Sequence, residues 1–207
     1  MHIVVTDVLT CPRCGPEFGL IVLAERMEGR AVMEGRLGCA NCRDQYPIHE
    51  GVPDLRRAPP VSGWEPASGD ADRALRFAAL LGVGHAPGSV LVYGADAALL
   101  GGIAELLPNA RVIGAAPGDL PGATQAGLDW VLIDDQVPLR SGSLRGVAFA
   151  TPPNEELIAE ALRALAPGAH LLLDPAPAGV GERLRSRGAE LLLEQDGAAV
   201  ASYRGRG

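Results

Sequence analysis

Polar and apolar positions alternate in two early runs, Phe18 to Arg26 and Ala31 to Leu37, joined at Met27-Glu28-Gly29-Arg30. A period of two interrupted by a glycine-bearing tetrapeptide predicts a β-hairpin. Past Arg56 the pattern breaks down. Arg56 to Gly69 contains Pro59, Pro60, Ser62, Gly63, Pro66, Ser68 and Gly69, a linker composition. Trp64 inside it is expected to anchor on a flanking domain, since a tryptophan left free in solvent is unusual. Asp70 is placed to cap a helix over 71–81, with Leu75, Ala78, Ala79 and Leu81 as its apolar face. That helix should stop at Gly82-Val83-Gly84.

From Ser89 onward short apolar runs alternate with helical stretches. Strands are predicted at 90–93, 111–115, 130–133, 147–150 and 171–174, and helices near 97–107, 154–165 (capped by Asn154) and 179–187. Glu190 to Glu194 and Ala199 to Tyr203 meet at Asp196-Gly197, a two-residue hairpin turn. Strand–helix alternation of this kind predicts a doubly wound, parallel α/β sheet with helices on both faces. The last hairpin should add an antiparallel edge. The expected partition is residues 1–57, a linker over 58–72, and a Rossmann-like domain over 73–207.

Composition narrows the function. Of 207 residues 47% are hydrophobic, enough for a core of this size. All 18 basic residues are arginine, the net charge is −7, the pI is about 5.1 and only 4% of residues are aromatic. Neither a basic footprint nor a stacking platform for nucleic acid is present, so RNA binding is disfavoured. No apolar window of about eighteen residues exists, and Met-His-Ile-Val-Val-Thr-Asp has no leader character. The expectation is a cytoplasmic protein with no membrane partner.

Cys11-Pro-Arg-Cys14 and Cys39-Ala-Asn-Cys42 are two Cys-x₂-Cys knuckles, 24 residues apart, flanking the predicted hairpin. Each knuckle can aim two thiolates at one ion, with sulfur–zinc bonds of about 2.3 Å, and two knuckles complete a tetrahedron. Two disulfides or one redox pair are the alternatives. The first conflicts with a reducing compartment, and the second needs no matched second knuckle. Structural zinc on Cys11, Cys14, Cys39 and Cys42 is therefore the expectation. His49 is surplus to four sulfurs and reads as a surface residue. A segment of about fifty residues has little core of its own, so metal and fold should be coupled.

The two knuckles, the hairpin between them, and the tail Tyr46-Pro47-Ile48-His49-Glu50-Gly51-Val52-Pro53-Asp54-Leu55 resemble the zinc-ribbon activator subunit of tRNA, rRNA and release-factor methyltransferases. The likeness spans residues 8–56. It implies a ribbon that covers apolar surface of a methyltransferase domain and stabilises it, and a protein partner that is a methyltransferase or is tied to translation. A generic ribbon used only for packing is the plainer reading of the same residues.

The stretch from Ser89 to Asp119 reads as a strand–turn–helix–strand unit whose turn keeps one glycine, Gly94, followed by Ala95-Asp96-Ala97-Ala98. Glu160-Ala-Leu-Arg163-Ala-Leu-Ala-Pro167-Gly168-Ala-His-Leu-Leu-Leu and Val137-Pro138-Leu139-Arg140-Ser141-Gly142-Ser143-Leu144 are similar to segments of the class I S-adenosylmethionine-dependent methyltransferases, over residues 73–205. That resemblance implies a cofactor held after the first strand by Gly-x-Gly-x-Gly, which here falls on Gly94, Asp96 and Ala98. The acid of the first strand falls on Val92, and the ribose-binding acid after the second strand on Ala116, with Asp119 three residues late. Asp134 or Asp135 matches the adenine-facing acid, and Asp96 could meet the cofactor's ammonium. Thr151-Pro152-Pro153-Asn154 reverses the order of an amide-methylation motif, so Asn154 reads as a helix cap. No catalytic residue stands out: His85 and His170 have nothing converging on them. The leading reading is a zinc-binding, methyltransferase-like protein with a degenerate cofactor site, acting as a binding or scaffolding subunit. An active methyltransferase using Gly94, Asp96, Asp134 and Asp135 is the second reading, and an RNA-binding module the third.

Overall fold

The computed structural model of the chain describes residues 1–85, 87–118 and 128–203. Two sheets carry it. The first is antiparallel, with strands in sequence order: β1 (Thr10–Cys11), β2 (Gly15–Glu28), β3 (Ala31–Cys39), β4 (Gln45–His49) and β5 (Val52–Pro53). β2 and β3 form the predicted hairpin, closed at Gly29, whose φ of +60° suits a residue without a Cβ.

The second sheet comprises β6 (Gly88–Tyr93), β7 (Ala110–Ala116), β8 (Asp129–Leu132), β9 (Leu144–Phe149), β10 (Leu165–Leu173), β11 (Ala189–Gln195) and β12 (Ala198–Tyr203). Their order across the sheet is β11-β12-β10-β9-β6-β7-β8. Only β12 runs antiparallel to its neighbours. The final hairpin supplies the expected antiparallel edge, with its second strand beside β10 and β11 outermost. Turn residues Asp196 (φ 51°) and Gly197 (φ 72°) are both left-handed, as a tight hairpin twist requires.

Helices lie on both faces. α1 (Ala71–Leu81) and α2 (Ala97–Leu106) cover one, with Phe77, Leu81, Leu99, Leu100 and Ile103 packed on Val90, Val92 and Val112. The buried face of α1 is Ala74, Phe77 and Leu81, not the face containing Leu75, which is 56% exposed. Phe77 is fully buried on this face, and burying such a side chain is favourable by about 1.5–3 kcal/mol. α3 (Glu155–Ala164) and α4 (Val180–Ser186) lie on the opposite face, against β9, β10 and β11. Asn154 caps α3, accepting the Leu157 N–H at 2.8 Å.

Beside α3, that second face is covered by the cysteine-bearing sheet. Val5, Leu9, Leu37, Ile48 and Leu55 share one buried cluster with Leu91, Ile113, Val131 and Phe149. Edge contacts join the sheets as well: Leu55 donates to the Leu132 carbonyl at 2.9 Å, and Thr10 to the Pro138 carbonyl at 2.8 Å. No described helix is long and apolar enough to cross a membrane.

Candidate functional site

Two places concentrate chemistry. In the first, β1 and the turn after it present Cys11 and Cys14, while the end of β3 and the following turn present Cys39 and Cys42. The four sulfurs lie within 4.8 Å of one another. Cys11 Sγ is 3.6 Å from Cys42 Sγ, and Cys39 Sγ is 3.8 Å from Cys14 Sγ. A tetrahedron with bonds of about 2.3 Å has edges of about 3.8 Å, so the cluster fits one tetrahedral ion with no remaining open position. Polar groups approach two of the sulfurs. The Cys14 N–H points at Cys11 Sγ at 3.4 Å, and Asn41 Nδ2 donates to Cys14 Sγ at 3.3 Å. The Tyr46 hydroxyl lies 3.4 Å from Cys11 Sγ.

Burial raises the Cys11 thiol, but the bonds from Tyr46, Cys14 and Arg13 outweigh it and bring it down to about 7. Burial and the neighbouring thiols push Cys42 the other way, up to about 12. Tyr46 is itself raised by burial and by Cys11 beside it. Asn41 and Tyr46 were not identifiable as sulfur partners from spacing alone. His49 stands apart, 77% exposed and 3.3 Å from Glu34.

The second place is the carboxyl edge of the large sheet. Strand order reverses between β6 and β9, and such a switch point is where open α/β sheets hold ligands. Here it is shut. Gly94, at φ +79°, follows β6, and a Cβ on it would stand 2.2 Å from Thr151 Oγ1 of the loop after β9. Ala67 then bridges onto the same turn: its N–H donates to the Gly94 carbonyl at 2.7 Å, and its carbonyl accepts the Asp96 N–H at 2.9 Å. The Asp96 carboxylate caps α2, accepting the Leu99 N–H at 2.8 Å.

Residues 56–70 cross the edge as a strap. Arg57 donates its N–H to Asp134 Oδ2 at 2.9 Å, beyond β8. Val61 N–H and Arg56 Nη1 each reach the Pro117 carbonyl at 3.3 Å, beyond β7. Trp64 covers Gly118, where an added Cβ would lie 2.9 Å from the indole Cε3. Past the Ala67 bridge, Arg73 of α1 reaches the carbonyls of Ala150 at 3.2 Å and Asp174 at 3.1 Å, beyond β9 and β10. Trp64 is the anchor its position in the linker predicted; nothing in the sequence marked Ala67.

The acids expected near a cofactor are spread along this edge. Asp134 accepts the N–H groups of Arg57 and Gln136, and Asp135 accepts from Asn154 Nδ2 at 2.6 Å. Their charges, after burial itself, raise the Tyr93 hydroxyl above its ordinary range. Ala116, at the ribose position, is fully buried and offers no acceptor. Asp119 lies outside the described residues. Two cavities lie at the opposite, amino end of the strands. One of about 580 Å³ is lined by Asp7, Ser89, Arg111 and Asp129, and one of about 650 Å³ lies between α1 and α2.

No protein-family model matches the chain, and no curated protein matches it. Solved structures do. A putative S-adenosyl-L-methionine-dependent methyltransferase from Methanococcus maripaludis is 11% identical, with a TM-score of 0.51 over 66% of this chain and 87% of that one. MycE, a methyltransferase of the mycinamycin biosynthetic pathway solved with Mg, SAH and mycinamycin VI, is 11% identical, with a TM-score of 0.52 over 67% of this chain. The chain spans only 49% of MycE's length. The likeness is one of fold: the large sheet resembles the Rossmann-like sheet of these methyltransferases.

Proposed function

We propose that the chain is a non-catalytic protein of methyltransferase fold that carries structural zinc and serves as a binding or scaffolding subunit in the cytoplasm. The single observation that carries this is the Ala67 bridge. Bonds of 2.7 and 2.9 Å to Gly94 and Asp96 leave no layer between the strap and the turn for a nucleoside to occupy. The residues present do not fit S-adenosylmethionine. The ribose acceptor is replaced by buried Ala116, and Asp96 is spent on a helix cap. A partner that is a methyltransferase or a translation factor fits the ribbon resemblance, and the acidic charge argues against RNA.

Zinc rather than a redox centre fits four sulfurs at tetrahedral spacing with donors aimed at them. Calorimetric titration of the full chain with S-adenosylmethionine tests the reading. The expected result is no heat of binding; micromolar affinity would establish the enzyme reading instead. Elemental analysis should give one zinc per chain and no iron.

A further inference from the structure

Three features distinguish the strap from a passive connection. It is bonded main chain to main chain at Ala67, where one residue presents both an N–H and a C=O to the Gly94–Asp96 turn. It seats an aromatic ring three residues earlier, in a slot that exists because Gly118 has no Cβ. Pro66 between them keeps the preceding residue extended. Paired donor and acceptor groups on one face are what an extended peptide offers a sheet edge, and side-chain slots beside them supply selectivity.

We propose that the carboxyl edge formed by Gly94–Asp96 and Gly118 is a binding site for an extended peptide, occupied in the resting chain by its own residues 61–69. This rests on the non-catalytic reading in one respect: no cofactor competes for the Gly94 carbonyl and the Asp96 N–H. The ligand class is a short extended segment with an aromatic residue three positions before a small one. The tethered strap competes at an effective concentration on the order of millimolar, so a free peptide has to meet a chain whose strap is disabled.

The test uses the full chain and a fluorescein-labelled synthetic peptide spanning residues 60–69. In the wild type, the Asp96 amide should resist hydrogen exchange and the peptide should not raise polarisation. In a chain carrying Trp64→Ala and Ala67→Pro, which removes the ring and the donated N–H, Asp96 should exchange at least about tenfold faster. The peptide should then bind and restore protection, and a peptide lacking the tryptophan should do neither. Gly118→Ala, which fills the slot while leaving the strap intact, should also speed exchange at Asp96. A wild-type Asp96 amide that exchanges freely overturns the proposal, as does a folded double variant that ignores the peptide. SAH is added in a separate arm. SAH binding with Asp96 still protected overturns the non-catalytic reading and leaves the peptide site standing. Peptide failure with SAH silent overturns the peptide site alone.

Discussion

Leu55 donates its backbone N–H to the Leu132 carbonyl at 2.9 Å, and with the neighbouring Asp54–Leu132 bridge this ties the cysteine-bearing sheet to the outer strand of the large one. The buried cluster runs through the junction, from Leu37 and Ile48 to Val131 and Ile133. On this face the two sheets share one core. Chelation should therefore lower the melting temperature of the whole chain rather than unfold residues 1–57 alone. Binding of structural zinc is strong enough that the midpoint should fall by about ten degrees or more. Calorimetry checks this: an early transition leaving the large sheet's melting unchanged would show the sheets to be energetically separate.

Asp96 separates two roles. As the α2 cap, its replacement by alanine should cost about 1 kcal/mol of stability, while Asp96→Asn keeps an acceptor and should cost little. Neither change should alter the response to S-adenosylmethionine. Denaturant unfolding of both variants provides the comparison, and a loss of cofactor binding in either would reassign the residue.

Gly114 of β7 lies against Trp130 of β8. A Cβ there would stand 2.4 Å from Cε3 and 2.5 Å from Cζ3 of the indole, with Leu100 at 2.8 Å behind it. Trp130 is 2% exposed and has no space to retreat into. Gly114→Ala should destabilise the protein by about 1–3 kcal/mol, the cost of overpacking a closed core. Urea midpoints measure it, and a neutral result would mean that the indole can turn.

Glu34 predicts an acid response in the hairpin. Its carboxylate accepts the Glu50 N–H at 3.1 Å and faces His49 and Arg26. The Glu50 N–H is the main reason its carboxyl titrates below the ordinary range, against a smaller opposing effect of burial. A carboxyl depressed by folding contributes stability above its unfolded value, near 4.3, and loses that contribution as the pH falls through the lower folded value. Glu34→Gln should lower the urea midpoint slightly near neutrality and flatten its fall below about pH 4.5, so that the two chains converge in acid.

Much of this was legible in the chain. The hairpin, both knuckles, the Asp70 and Asn154 caps and the parallel strand series follow from local periodicity and turn chemistry, which act over a few residues. The face of α1 was misassigned because a count of apolar positions does not rank Leu75 against Phe77, and the fold buries Phe77. Which strand of the last hairpin meets β10 was hidden because a hairpin signal fixes which strands are consecutive and not which neighbour each one finds. The Ala67 bridge was hidden for a related reason: it depends on where the Gly94 turn comes to lie, not on alanine.

The position of β12 has a kinetic consequence. β10 pairs with β12, which is made only after α4 and β11, so β10 keeps a bare edge until Ala198–Tyr203 has emerged. Translation at about 5–20 residues per second leaves that edge open for a second or more after β10 has emerged. A nascent chain stalled before Ala198 should consequently be the form most prone to aggregate or to recruit a chaperone.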